Sequence, residues 1–163
     1  MEVLIVPIKN ESSAAVIDII LPIQQIEFNV PITLNDQPDL LDIENAYYQT
    51  GGGFWGAKVN EELAGTIALI KYDNDSAAIR KMFVKKDFRG KALGLAQLLL
   101  ETLIAYCKEK NIRHLYLGTV SVLQAAMRFY ERNGFEKIEK SALPELFPLM
   151  SADNVFYHLA IKS

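Results

Sequence analysis

The segment Arg89-Gly90-Lys91-Ala92-Leu93-Gly94-Leu95-Ala96 is where residues able to do chemistry concentrate. Small residues at 90, 92, 94 and 96 let the backbone approach a ligand closely. The run opens a helix, and the N–H groups of a helix's first turn have no partner inside it. Such a turn binds anions, and a pyrophosphate is a natural guest. Hydrogen bonds to a charged group contribute about 1.5–3 kcal/mol each, so three or four would anchor a nucleotide-like cofactor. Arg89 and the nearby Lys81, Lys85, Lys86 and Lys91 add positive charge. No Gly-Lys-Ser/Thr ends the run, so it is not a P-loop, and it lacks the three-glycine spacing of a dinucleotide fingerprint. By itself it also suits a helix start whose small residues only pack closely.

The flanking elements decide what this turn faces. Before it, Ala77–Val84 reads as a strand whose alternation fails at Arg80-Lys81, between Ile79 and Met82. That slip in period suits a β-bulge, which splays a strand from its neighbour and frees backbone groups. After it, Ala96, Leu100, Leu103, Ile104 and Cys107 fall on one helical face, with Lys108 and Lys110 in the last turn and Asn111 as a left-handed stop. Cys107 on that face reads as a core thiol and not a nucleophile. His114–Thr119 is a strand. Ser121 with Gln124 suits a capping box for a helix carrying Leu123, Ala126, Met127 and Tyr130, stopped by Asn133-Gly134.

Upstream, Val3–Ile8 reads as an edge strand with Pro7 near its end. Apolar residues recur at helical spacing from Ser12 to Asn29, and Pro22 divides them. Asp36 is suited to cap a second helix running through Tyr47, with Pro38 in its first turn and Gly51-Gly52-Gly53 beyond its end. Phe54–Val59, Leu63–Tyr72 and Ala77–Val84 are joined by short polar turns, as in an antiparallel meander. Phe135–Glu139 and Val155–Ile161 are the last strands. The Pro144- and Pro148-containing loop between them is placed to cover a site. The order β-α-α-β-β-β-α-β-α-β-β predicts an α/β fold with a mixed sheet: an antiparallel meander followed by a βαβ unit.

Composition narrows the function classes. The 163 residues are 50% hydrophobic and 23% charged, which fits one globular domain spanning 1–163. One cysteine excludes an internal disulfide, and two histidines give little basis for a metal site, so none is expected. No apolar run has membrane-spanning length and no signal-peptide pattern opens the chain, so a soluble cytoplasmic protein without membrane partners is expected. The net charge of −3 argues against nucleic-acid binding. The charge is uneven: residues 1–80 carry twelve acids against four bases, and residues 81–163 eight against thirteen. A solvated face accounts for that asymmetry. So does an anion site in the second half with a cation-attracting surface in the first.

The Arg89–Gly94 turn, placed after the Met82-Phe83-Val84 strand, resembles the acetyl-CoA pyrophosphate loop of the GNAT superfamily of N-acetyltransferases, Arg/Gln-x-x-Gly-x-Gly/Ala. Ala92 stands where the middle glycine is usual. Downstream, Ala126-Met127-Arg128-Phe129-Tyr130-Glu131-Arg132-Asn133-Gly134-Phe135 is similar to the second signature, Ala-x-x-x-Tyr-x-x-x-Gly-Phe. The meander around Leu63-Ala64-Gly65-Thr66-Ile67 is similar to the family's central strands.

The resemblance implies the GNAT-like acyl-CoA N-acyltransferase fold, with acetyl-CoA as co-substrate lying between the bulged strand and the next parallel strand. The pantetheine arm would pair with Met82, Phe83 and Val84. The pyrophosphate would meet Arg89, Gly90, Lys91, Ala92, Leu93, Gly94 and Leu95, and Leu123 and Ala126 would line the cofactor. An amine would attack the thioester directly, and Tyr130 would protonate the departing thiolate. A phenol of pKa about 10 can donate to a thiolate whose acid has pKa about 8.5. A homodimer is a common assembly in the family.

The base does not carry over. A lysine-like amine of pKa about 10.4 is neutral in about one molecule in 2,500 at pH 7, a deficit of about 4.6 kcal/mol. The glutamate that many family members place on the bulged strand corresponds to Ala78, and the frequent asparagine before the tyrosine to Leu123. Deprotonation then goes through water to backbone carbonyls, or to an acid from the first helices. Glu27 and Glu44 are candidates by location only, and each reads more readily as an ordinary surface carboxylate. The acidic first half suggests an acceptor carrying positive charge: a small amine, a polyamine or a peptide, with Tyr47, Tyr48, Phe54 and Trp55 as candidate lining. Ala78 and Leu123 keep open a second function, a non-catalytic acetyl-CoA-binding sensor or interaction module. A third is a nucleotide-binding protein using the same helix start.

Overall fold

Two short polar turns between residues 59 and 76 fold the middle of the chain into a meander. The computed structural model describes residues 2–90 and 93–162. Strand β1 (Val3–Pro7) is followed by helix α1 (Ser13–Pro22), strands β2 (Gly53–Val59), β3 (Glu62–Lys71) and β4 (Ser76–Val84), and helix α2 (Leu95–Glu109). Strand β5 (His114–Thr119), helix α3 (Gln124–Arg132) and strands β6 (Glu136–Ile138) and β7 (Val155–Ala160) complete the order. The sheet runs β1-β2-β3-β4-β5-β7-β6, so β1 is an edge strand as expected. All pairings are antiparallel except β4 with β5. Asn60 and Glu61 both take positive φ (48° and 74°), the geometry a tight hairpin needs between β2 and β3.

Both faces of the sheet are covered. On one face α2 buries Leu95, Leu99, Leu100, Leu103 and Cys107 against Ile67, Leu69 and Leu115. On the other, Val16 and Ile20 of α1 pack with Leu40, Ile43, Tyr47, Phe54 and Ala68. The period of two along β3 therefore sends Ile67 and Leu69 one way and Ala68 the other. The expected face of α2 is turned slightly: Leu95 and Leu99 are buried, while Ala96 and Ile104 are only half-buried. Cys107 is fully buried and its thiol is pushed up to about 12 by desolvation, which makes it a core thiol.

Pro22 divides two helical pieces, as expected: α1 ends there and a π-type turn over Ile23–Glu27 follows. Two local expectations need correction. No helix runs from Asp36 to Tyr47. Two 3-10 turns (Leu34–Asp36 and Pro38–Leu41) and a π-type turn (Glu44–Tyr48) take its place. Short acidic side chains hold those breaks. Asp36 accepts from the Thr33 N–H at 2.9 Å, and Asp42 accepts from the Asn45 side chain at 2.6 Å. Such bonds compete with helical ones. Ser121 and Gln124 form no capping box: Leu123 precedes α3 without a side-chain cap, and the Ser121 N–H donates to Asn154 Oδ1 at 2.9 Å.

Candidate active site

Strands β4 and β5 pair over three residues only, Ser76, Ala77 and Ala78 with His114, Leu115 and Tyr116. Past Ala78 they diverge. The cause lies in β4. Thr66 faces Phe83 and Ala68 faces Arg80, so Lys81 and Met82 share the single partner position of Ile67. This is the expected bulge, and it puts Lys81 at φ +54°, a conformation that costs a non-glycine residue about 1 kcal/mol or more. Both ends of Lys81 are held. The buried Thr66 hydroxyl donates to its carbonyl at 2.6 Å, and its ammonium donates to Gln37 Oε1 and lies 3.6 Å from Asp39. Gln37 in turn exchanges hydrogen bonds with Gln24 (2.9 and 3.2 Å), and the Tyr47 hydroxyl donates to Asp39 at 2.6 Å.

The splay opens two cavities that meet. The larger, about 850 Å³, runs from Met82, Phe83 and Val84 past Phe88, Arg89 and Gly90 to Gly94, Leu95 and Gln97. The smaller, about 120 Å³, lies between β4, the end of β5 and residues 147–153 of the β6–β7 loop. Met82, Phe83, Leu123, Ala126 and Tyr130 line both. The Pro-containing loop thus covers the site, as its position in sequence suggested.

The larger cavity suits a long anionic ligand. Gly94 takes φ +61° as the residue before α2, and Leu98 N–H makes the first helical bond, to its carbonyl. The N–H groups of Leu95, Ala96 and Gln97 precede that bond and have no acceptor among the described residues. At Gly90, φ is +114° and a Cβ would meet nothing within 4 Å, so the backbone there is open to a ligand. Leu93 flanks this turn, half-buried. Lys91 and Ala92 lie outside the described residues. Arg89 is already engaged: it donates to Glu27 with both terminal nitrogens and to the Val84 carbonyl through Nε at 2.8 Å. The pair ties the turn before α2 to the π-type turn after α1. It also removes Glu27 as a free base, and its carboxyl is held below the usual range chiefly by the Arg89 hydrogen bonds.

Tyr130 stands at the junction. It is 6% exposed, and among the described residues its hydroxyl has only a weak acceptor, Met82 Sδ at 3.7 Å. Burial pushes its phenol well above the ordinary value, so the proton stays on oxygen. Ala78 is fully buried core. Glu44 accepts from the Asn10 N–H at 3.1 Å and lines neither cavity. The aromatic lining expected on the acceptor side is absent too. Tyr47 and Phe54 are fully buried against each other, Tyr48 donates to the Phe54 carbonyl, and Trp55 packs on Tyr106.

Three charged residues line the smaller cavity, and none was singled out for this role from sequence: Arg80, Lys81 and Asp153. No acid of residues 2–80 lines it, so the basis for expecting a positively charged acceptor is lost. Asp153 accepts no hydrogen bond from any described residue, and desolvation raises its carboxyl to about 6 against the pull of Arg80 and Lys81. It fits because residue 118 is glycine: a Cβ there would sit 2.5 Å from Asp153 Oδ2. Arg80 donates to the Pro148 carbonyl at 3.0 Å and has no carboxylate within 4 Å among the described residues. The irregular pair Arg80-Lys81 was the only sequence signal for this cluster. Asp153 sits in a loop without pattern and carried none.

Among the described residues no helix is long and apolar enough to cross a membrane, and no group of three His, Cys, Asp or Glu side chains could hold a metal ion.

Comparison with known proteins agrees with this geometry. Residues 18–135 match the model of the acetyltransferase (GNAT) family. A crystal structure of a GNAT-family acetyltransferase from Staphylococcus aureus Mu50 superimposes with TM-score 0.95 at 41% identity, covering 99% of this chain and 100% of that one. A probable N-acetyltransferase camello of Xenopus tropicalis is 29% identical over 77% of this chain and 58% of its own length. An N-acetylaspartate synthetase of Danio rerio is 36% identical over 61% of this chain and 36% of its own length. The chain thus spans about a third to three-fifths of these curated relatives.

Proposed function

Because the chain belongs to the acetyltransferase (GNAT) family, we propose that it moves the acetyl group of acetyl-CoA to a primary amine by direct attack. The observation that carries this reading is Tyr130, whose hydroxyl lies where a groove fit for the cofactor meets a separate pocket fit for an amine. The residues fit acetyl-CoA. The splayed edge of β4 at Met82, Phe83 and Val84 offers backbone to an amide-bearing arm, and the first-turn N–H groups of α2 offer donors to phosphate. Leu123 and Ala126 supply an apolar wall. Bound there, acetyl-CoA supplies the acetyl group as a thioester.

The chain's own residues move the protons. Asp153, ionised at neutral pH and facing the pocket, takes a proton from the acceptor's ammonium. The neutral nitrogen then forms the new bond to the acetyl carbon as the carbon–sulfur bond breaks. Tyr130 gives its proton to the departing sulfur and recovers one from the nitrogen. The thiolate, desolvated in the same apolar junction, is a stronger base than in water, which helps a buried phenol donate to it. Cys107 takes no part, and no covalent acetyl-enzyme is needed.

Titration calorimetry with acetyl-CoA, CoA, ATP and NAD, paired with thiol release by Tyr130→Phe, tests this reading. Micromolar binding confined to the CoA species is expected. The variant should keep that affinity while turnover falls at least tenfold. Absence of binding to either CoA species would remove the cofactor assignment. Unchanged turnover in the variant would remove Tyr130 as the acid.

A further inference from the structure

We infer that the acceptor is a small amino acid, its carboxylate held by Arg80 and its ammonium by Asp153 across the 120 Å³ cavity. This rests on the acetyltransferase reading and names the substrate class of that site.

The argument is one of charge accounting. Lys81 is buried, 8% exposed, and its charge is answered by Asp39 at 3.6 Å. Two charges of the lining are left without an ionic partner. Arg80 donates to the Pro148 carbonyl at 3.0 Å and also acts on the neighbouring Tyr47 hydroxyl, but it has no carboxylate within 4 Å among the described residues, and no ion pair forms between Arg80 and Asp153. A half-buried guanidinium and a half-buried carboxylate that face one cavity without meeting are complementary to a ligand with one charge of each sign.

Each group matches one end of a zwitterion. The guanidinium fork is shaped for a planar oxyanion, and its bond to Pro148 and its approach to the Tyr47 hydroxyl still leave donors for one. Asp153 is the one carboxylate lining the cavity, and Tyr130 lines it as well. An ammonium anchored on Asp153 is therefore held in the pocket that contains the proposed acid, while the carboxylate is fixed away from it on Arg80. A diamine or polyamine would set a second cation against Arg80 and Lys81. A phosphate-bearing amine would bring a second negative charge beside Asp153 with only Arg80 unanswered. An amino acid leaves the cavity neutral.

Product-side binding tests the anchor without requiring turnover. The probes are the twenty N-acetyl amino acids and their carboxamides, titrated by calorimetry into the CoA-saturated protein, with N-acetyl-2-aminoethyl phosphate as a third class. At least one acid should bind tenfold or more tighter than its amide. Arg80→Gln should erase that preference, and Arg80→Lys should retain part of it. Equal binding of every acid and its amide, tighter binding of the phosphate, or no binding of any acid would overturn the inference, and the wild-type comparison needs no variant to fold. Thiol release with the free amino acids, their amides and spermidine separates the two levels. Amides and spermidine turned over as fast as the amino acids would overturn the amino-acid assignment and leave the transferase reading standing. Arg80-dependent binding with no turnover of any amine would overturn the transferase reading and keep the anchor.

Discussion

Replacing Asp153 by asparagine should make the protein more stable and less active, and the stability gain should depend on pH. The carboxyl is raised from 3.8 to about 6, mainly by desolvation. Arg80 and Lys81 of β4 pull the other way, and Tyr130 of α3 is the neutral titratable group in the same cavity. A folded-state carboxyl that holds its proton more tightly than the unfolded one favours folding at low pH. It loses that contribution as pH rises through its folded value. With the folded-state carboxyl at about 6, the burden on the folded state is about 3 kcal/mol at pH 8 and roughly half that at pH 5. Asparagine fills the same space without the charge. Urea unfolding of wild type and Asp153→Asn at pH 5 and pH 8 should show the variant's advantage growing by about 1 kcal/mol between the two. The same substitution should lower kcat/KM by about 10²–10⁴ and remove an acidic limb near pH 6 from its pH profile, with Asp153→Glu restoring part of both. An advantage that does not change with pH would refute the desolvation argument. A variant with wild-type kcat/KM and an intact acidic limb would refute the assignment of Asp153 as the base.

Two further outcomes follow from the geometry. Gly118→Val should displace Asp153, since even a Cβ would come within 2.5 Å of its carboxylate, and should raise the acceptor KM at unchanged acetyl-CoA affinity, measured by initial rates and calorimetry. Cys107→Ala should leave turnover and intersecting-line initial-rate kinetics unchanged, because the thiol is buried, while the cavity left behind lowers stability by about 1–2 kcal/mol, seen by thermal melting.

Much of the framework is local and therefore legible in sequence. Periodicity placed the strands and the long helix because each buries a face whose spacing is set by its own backbone geometry. The broken alternation at Arg80-Lys81 announced the bulge, and the small residues from Gly90 to Ala96 announced an open helix start. The second signature put Tyr130 on α3, and its burial at the junction follows from packing on the same core as α2. The segment from Leu34 to Tyr48 defeated the same reasoning. Its helical spacing is real, but Asp36 and Asp42 spend their side chains on the backbone or on Asn45, and the helix is cut into turns.

The proposed acceptor pocket could not be read from the chain one segment at a time. Charge balance pointed to acidic residues of the first half, yet Asp39 is consumed by Lys81, Glu27 by Arg89, and Glu44 by Asn10. Which charges remain without a partner is a property of packing, since an ion pair between residues 62 apart in sequence leaves no trace in either neighbourhood. Asp153 gains its raised carboxyl and its place facing Arg80 only because the β6–β7 loop folds over the splayed end of β4 and a glycine on β5 makes room. The sequence alone determined the family, the strand that opens and the small-residue start of the long helix, because each is written in residue types at short range. The residues proposed as the base and as the acceptor's anchor emerge only from tertiary contacts, which select the few unpaired charges out of many.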